Sequence, residues 1–293
     1  MNEALLLMGS NSRTRACLEA LVAAGAPPRA LALDRDAPSL AERASELGVP
    51  VIDGRHPRAD EGRARLTAVG ARLWVMAGYA RILPPEALVI PPDGVINLHG
   101  GKLPEYRGAS VVNWQLIEGE RAMGLTVLRA DAGIDTGDIL ARDTLPVGPD
   151  EDYGSVQARM NARFPTMLLA VLSALREGRT VGERQDLSIG RTWPRRRPED
   201  GLIDWSAAPA RRLHDFVRAL ARPCPGAFCA HHEERLTVWR TRVIEERGEF
   251  AAPGTVTGFH DGAPCVAARE GTVALIEADG PTLRAGDVLG GVR

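Results

Sequence analysis

The sequence predicts an α/β protein with a doubly wound parallel sheet in its larger N-terminal part and a smaller open β-barrel in its C-terminal part. Three observations carry this. Short apolar runs alternate with helix-spaced segments from Ala4 onward, the rhythm of βαβ units in a Rossmann-like sheet. From Pro253 through Val288 the pattern changes to several short strands punctuated by glycine, as in small barrels. Between them lies a stretch rich in Pro, Arg and Trp, suited to a domain seam. With 293 residues the chain has enough length for two cores. The division expected is 1–190, a linker at 191–202, and 203–293.

Ala4-Leu5-Leu6-Leu7-Met8 reads as a buried parallel strand ending in Gly9-Ser10-Asn11-Ser12. That turn is neither GxGxxG nor a P-loop, so it reads as a strand-to-helix turn or as backbone lining a cleft. Cys17, Leu18, Leu21 and Val22 share a helix face closed by Gly25. Ala30–Leu33 is a second strand, Leu40–Leu47 a short helix and Val49–Ile52 a third strand. Leu73-Trp74-Val75-Met76 is the next strand, and Pro84-Pro85 opens a short helix. Pro91-Pro92-Asp93-Gly94 turns into the strand Val95-Ile96-Asn97. A helix over Val111–Glu118, a strand over Gly124–Leu128 and an extended run over Ile139–Leu145 follow. A long helix is expected from about Asp150 to Glu177, kinked or split at Pro165. Past the seam come a helix over Pro209–Leu220 and strands at Leu236–Trp239 and Arg242–Ile244.

Composition excludes several classes. The net charge of -2 provides no global field for a polyanion. The four cysteines contain no CxxC pair, which argues against a zinc site or disulfide framework and for free thiols in a reducing cytoplasm. No run of about 18 apolar residues is present, so no membrane span is expected, and the N-terminus lacks a signal-peptide pattern. Lys102 is the only lysine.

The chemistry concentrates between Asn97 and Leu140. Asn97 and His99 are two residues apart and would share one face of a strand. Asp135 lies in the turn Asp131-Ala132-Gly133-Ile134-Asp135-Thr136-Gly137-Asp138. An amide donor, an imidazole and a carboxylate suit an acyl-transfer site in which an amine attacks a formyl carbonyl. His99 can donate to the developing oxyanion or accept a proton, and Asp135 can orient His99 or take the proton itself. Each has an ordinary structural reading too: a hydrogen-bonded histidine after a strand, and a turn-forming aspartate. Asp131, Asp135 and Asp138 lack the EF-hand ligand pattern, so no metal is expected.

Asn97-Leu98-His99-Gly100, Leu103-Pro104-Glu105-Tyr106-Arg107-Gly108, and Gly124-Leu125-Thr126 with Asp131–Gly137 together resemble the signature of the folate-dependent formyltransferases. The resemblance implies Asn97, His99 and Asp135 as catalytic residues and 10-formyltetrahydrofolate as formyl donor. It implies that Gly78-Tyr79-Ala80-Arg81-Ile82-Leu83 lines the pterin pocket with Ile134 as another wall. Lys102, Tyr106, Arg107 and Ser110, in and beside the same motif, are expected on the substrate side. For Lys102, an anionic contact and a solvated loop lysine are both open. Pro198–Trp205, Pro225–Phe228 and Leu236–Trp239 resemble the second, OB-like domain of the methionyl-tRNA and aminoarabinose enzymes.

The acceptor expected is a primary amine of a nucleotide-linked amino sugar. Gly101-Lys102 stands where many relatives have Ser-Leu, and Ser110-Val111 where they often have Ala-Pro. An amino acid or hydroxyornithine, methionyl-tRNA, hydrolysis of formylfolate and an inactive folate-binding module are the alternatives. The low net charge and the short, mixed-charge stretch Asp34–Glu42 make tRNA an unexpected partner. Arg191, Arg195, Arg196 and Arg197 keep it open, as a phosphate contact rather than a plain seam. A cytoplasmic enzyme with no membrane partner is expected, and a homodimer is allowed.

Overall fold

A computed structural model of the chain describes residues 4–179, 182–245 and 251–290. The chain forms two compact units whose segments interleave in sequence. Met1–Gly108, Met123–Leu145 and Ala158–Thr192 make the first; Ala109–Ala122, Pro146–Gln157 and Trp193–Arg293 make the second. The sequence reading divides the chain once, around residues 191–202, whereas packing places two earlier stretches with the second unit. Apolar faces cluster by shape and not by chain order.

The first unit is built on β1 (Leu5–Met8), α1 (Ser12–Ala23), β2 (Ala30–Leu33), α2 (Pro38–Glu46), β3 (Val51–Asp53), α3 (Asp60–Ala68), β4 (Leu73–Met76), α4 (Pro85–Leu88) and β5 (Val95–His99). After β6 (Tyr106–Gly108) and α5 (Val111–Ile117) come β7 (Ala122–Arg129) and β8 (Ile139–Pro146). The sheet order is β3-β2-β1-β4-β5-β7-β8. Every residue of β1 and β4 is buried, as expected for parallel strands covered on both faces. Removing each such Leu or Met side chain from water contributes roughly 1.5–3 kcal/mol. The parallel pairing stops at β5. β7 runs antiparallel to it, with Asn97 opposite Leu128 and His99 opposite Thr126, so the sheet is mixed where an all-parallel one is expected.

Asn11 starts α1 with a capping box. Its side chain accepts from the Thr14 N–H and Thr14 Oγ1 accepts from the Asn11 N–H. Cys17, Leu18 and Leu21 then turn to the core. Helix α3 escapes the sequence reading because only Gly62 and Leu66 of its nine residues are buried. α6 (Tyr153–Arg176) is one helix across Pro165 and is not split there. Proline removes one N–H from the ladder, and the burial of Phe164, Leu168, Val171 and Leu172 beside it holds the helix together.

β9 (Arg191–Trp193) and a 3-10 turn at Pro198–Gly201 occupy the stretch read as linker. The second unit contains α5, α7 (Ala210–Ala219) and β10 (Ala227–His231), β11 (Glu234–Glu245), β12 (Val256–His260), β13 (Ala263–Ala267), β14 (Thr272–Asp279) and β15 (Leu289–Gly290). Its sheet order is β12-β13-β14-β11-β10-β15. A single bridge, Thr255 to Val288, joins the two end strands, so the sheet curls into a partly open barrel. Trp205, Leu213, Val217, Leu236, Val238 and Val266 fill its core.

Candidate active site

Asn97 and His99 end β5, at the edge where parallel pairing gives way to antiparallel. Asp135 lies in the turn after β7, in the left-handed region at φ 54°. Asn and Asp tolerate that conformation better than bulkier residues do. The structure brings the three together. Asn97 Nδ2 donates to Asp135 Oδ1 at 3.1 Å. Asp135 Oδ2 accepts from the Gly108 N–H at 2.9 Å and lies 3.5 Å from His99 Nδ1. His99 Nε2 is 2.6 Å from the Tyr106 carbonyl oxygen.

A carbonyl can only accept, so Nε2 of a neutral His99 carries the proton. Its Nδ1 lone pair then faces the Asp135 carboxylate. A proton taken up at Nδ1 would be held by that carboxylate. An amide carries two N–H protons, and Asn97 gives one to Asp135, leaving the second for a ligand oxygen. The set can therefore polarise a carbonyl, receive a proton and stabilise the resulting imidazolium.

The backbone around the set is fixed by residues the motif does not single out. A Cβ at Gly101 would fall 2.5 Å from both His99 Nε2 and the Tyr106 oxygen, so in this chain the imidazole and that carbonyl pack directly against the glycine backbone. Gln185 Nε2 donates to the carbonyls of Asp135 at 2.9 Å and Gly137 at 2.7 Å, pinning the acidic turn. Neither was anticipated. Gln185 lies 50 residues from Asp135, and only folding places it there.

The loop Gly78–Leu83 leaves the end of β4. Gly78 has φ 83°, and a Cβ there would meet Asn11 Nδ2 at 2.2 Å. Asp34, 1% exposed, accepts from the Ala80 N–H at 2.9 Å, and its carbonyl accepts from Arg81. Burial pushes the Tyr79 phenol up, so its O–H stays protonated and donates to the Gly54 carbonyl at 2.6 Å. Leu83 is buried, while Ile82 is 61% and Ile134 47% exposed. Both exposed side chains stand on loops that follow the strands flanking β5.

The expected substrate-side residues are placed differently. Lys102 pairs with Glu105 at 2.9 Å. Tyr106 is buried and presents its carbonyl, not its phenol, to His99. Arg107 is buried and donates to the carbonyls of Pro104 and Ile189 at 3.1 Å and of Leu187 at 3.4 Å. Ser110 belongs to the second unit at φ 53°, and its Oγ accepts from the Arg196 N–H at 3.1 Å. Arg196 stacks over Trp114, which lies 4.9 Å from Trp193. Burial drives the Cys17 thiol to about 12, leaving it no nucleophilic role at neutral pH. Among the described residues, no group of three or more His, Cys, Asp and Glu could hold a metal ion, and no helix is long and apolar enough to cross a membrane.

Known proteins are related to this chain in sequence and in fold. The formyl transferase family pattern matches residues 10–172, and its C-terminal domain pattern matches residues 196–292. A methionyl-tRNA formyltransferase of Solibacter usitatus is 34% identical over 93% of this chain and 89% of its own length. An N-formyltransferase from Helicobacter canadensis, solved with folinic acid and dTDP-3-aminofucose, shares the fold at TM-score 0.65 and 15% identity, covering 93% of this chain and 98% of its own. HypX from Aquifex aeolicus, solved with tetrahydrofolic acid, shares it at TM-score 0.66 and 21% identity over 95% of this chain, which spans 44% of HypX. The expectation that tRNA is an unlikely partner is overturned, because relatives of this similarity are methionyl-tRNA formyltransferases. Net charge averages the whole surface and so does not report on a local cationic patch. The family's formyl donor is formyl-tetrahydrofolate. On the match of both domain patterns and this identity over nearly the full length, the chain belongs to the formyltransferase family and is an enzyme of formyl transfer.

Proposed function

We propose that the acceptor is the amino group of methionine carried by tRNA, and that Asn97, His99 and Asp135 are the catalytic residues. The observation carrying the acceptor is the two-domain match to a methionyl-tRNA formyltransferase across 93% of the chain. A cytoplasmic location goes with it. 10-Formyltetrahydrofolate supplies the formyl carbonyl when bound, against the Gly78–Leu83 loop and Ile134. Asn97 donates its second amide proton to the oxygen on which negative charge develops. As the amine nitrogen bonds to the formyl carbon and the bond from that carbon to the folate nitrogen breaks, His99 would receive the amine proton at Nδ1 and pass it to the departing folate nitrogen, with Asp135 holding the imidazolium and orienting both partners. Exposed Arg195 and Arg197 meet tRNA phosphates.

The test is a formyl-transfer assay with 10-formyltetrahydrofolate, comparing initiator methionyl-tRNA with dTDP-linked amino sugars. Transfer to the tRNA is expected. Neutralising Arg195 and Arg197 together should raise KM for tRNA and lower its log–log salt slope by about 1–2. Transfer to the amino sugar alone overturns the acceptor.

A further inference from the structure

Arg13 is the second residue of α1 and reaches the catalytic strand from outside it. Its Nη1 donates to the Leu98 carbonyl at 2.6 Å, and its Nε to Asn161 Oδ1 at 3.2 Å. Its guanidinium lies 4.2 Å from the centre of the Phe164 ring. Asn161, itself buried, donates in turn to Ser12 Oγ at 2.8 Å. Leu98 is the residue between Asn97 and His99. It lies one position beyond the last β4–β5 register pair, Met76 with Asn97, so its carbonyl has passed the end of β4. The charged donor takes over there from the missing strand. A guanidinium hydrogen bond is stronger and more directional than a neutral one, and the stack on Phe164 limits the side chain's freedom.

We infer that Arg13 is a positioning residue for formyl transfer: it fixes the peptide unit that aims Asn97 and His99. Turning the Leu98 carbonyl rotates the planes on either side of it and moves both side chains at once. This rests on the proposed roles of Asn97 and His99 and is independent of which amine is the acceptor.

The experiment compares wild type with Arg13→Met, which keeps the packing over Phe164 and removes the donors, and with Arg13→Lys, which restores a charged donor. Transfer to initiator methionyl-tRNA gives kcat, calorimetry with tetrahydrofolate gives Kd, and 15N NMR of labelled histidine gives the His99 tautomer. A displacement near 1 Å can cost on the order of 100-fold. Arg13→Met should therefore lower kcat by about 10- to 100-fold. Kd should stay within about threefold, and the single Nε2–H tautomer of His99 should become a mixture. Arg13→Lys should recover part of kcat and of the tautomer. Wild-type kcat and tautomer in Arg13→Met overturn the inference. So does a fall in kcat matched by an equal weakening of tetrahydrofolate. Should Arg13→Met fail to fold, Arg13→Gln, which lacks the charge and the guanidinium fork, decides in its place, and a wild-type kcat and tautomer there refute the inference. The NMR needs no acceptor, so it separates failure of this inference from failure of the tRNA reading. Full activity in His99→Ala marks failure of the catalytic assignment instead.

Discussion

Two histidines are buried among the described residues, His99 in the first unit and His214 in the second. Each places Nε2 against a backbone carbonyl: that of Tyr106 at 2.6 Å for His99, that of Pro149 at 3.1 Å for His214. They differ at Nδ1. His214 Nδ1 is 3.1 Å from the Thr241 hydroxyl, which can donate to it, so the neutral ring is satisfied at both nitrogens. His99 Nδ1 faces the Asp135 carboxylate, which cannot donate while ionised. One ring is complete without a further proton and the other is arranged to receive one. Burial and a carbonyl contact thus do not distinguish these two histidines. The unmet bonding capacity on the second nitrogen does.

The largest effect expected from this difference is on turnover. Asp135→Asn keeps the side chain's size and its tolerance for positive φ but removes the charge facing Nδ1. It should lower kcat by roughly 10²–10⁴-fold, and because an amide leaves one oxygen for the Asn97 and Gly108 donors it should also lower the melting temperature by a few degrees. His214→Gln should leave the turnover of folded enzyme near wild type. A comparable kcat loss in His214→Gln, or near-normal turnover in Asp135→Asn, would break the contrast.

The next effect is on stability. His214→Ala strands the Thr241 hydroxyl and the Pro149 carbonyl in a buried setting, at a cost of about 2–4 kcal/mol. Urea unfolding followed by circular dichroism measures it. A loss below about 0.5 kcal/mol would mean that His214 does not brace the second unit.

The smallest effect is on pH dependence. Burial, the leading influence, holds the His214 pKa below 6.5, and Arg211 adds to it; the Pro149 carbonyl, Asp215 and Asp150 oppose it. The folded chain resists a proton that the unfolded chain accepts. His214 therefore contributes its full stabilisation above the unfolded pKa of about 6.5 and loses it as pH falls toward the folded value. The melting temperature should drop between about pH 7 and pH 5, and His214→Gln should flatten that drop. An equally steep profile in the variant assigns the drop to other groups.

The same contrast separates residues within the recognition motif. Asn97, His99, Tyr106, Arg107 and Asp135 all stand in it. Asn97 and His99 both face the Asp135 carboxylate, which the Gly108 N–H also holds, whereas Arg107 is committed to three carbonyls, two of them 80 or more residues away. Polarity and motif membership predict both groups equally well. Which guanidinium or amide has hydrogen-bond capacity left over is a property of the folded chain.

The sequence by itself determined the family, the reaction class and the formyl donor, because motif residues close along the chain carry them. It also determined the alternating strands and helices, whose apolar runs of β1 and β4 admit few other readings. Tertiary structure decided what depends on distant segments meeting. It turned β7 antiparallel beside β5, moved Ala109–Ala122 into the second unit, and carried α6 across Pro165 on buried contacts. It brought Arg13 to the Leu98 carbonyl 85 residues away, Asp34 to Ala80 and Gln185 to Asp135. These supports are single side chains bonding to backbone carbonyls and amides. A backbone group looks the same at every position in a sequence, so nothing local marks where its partner will come from.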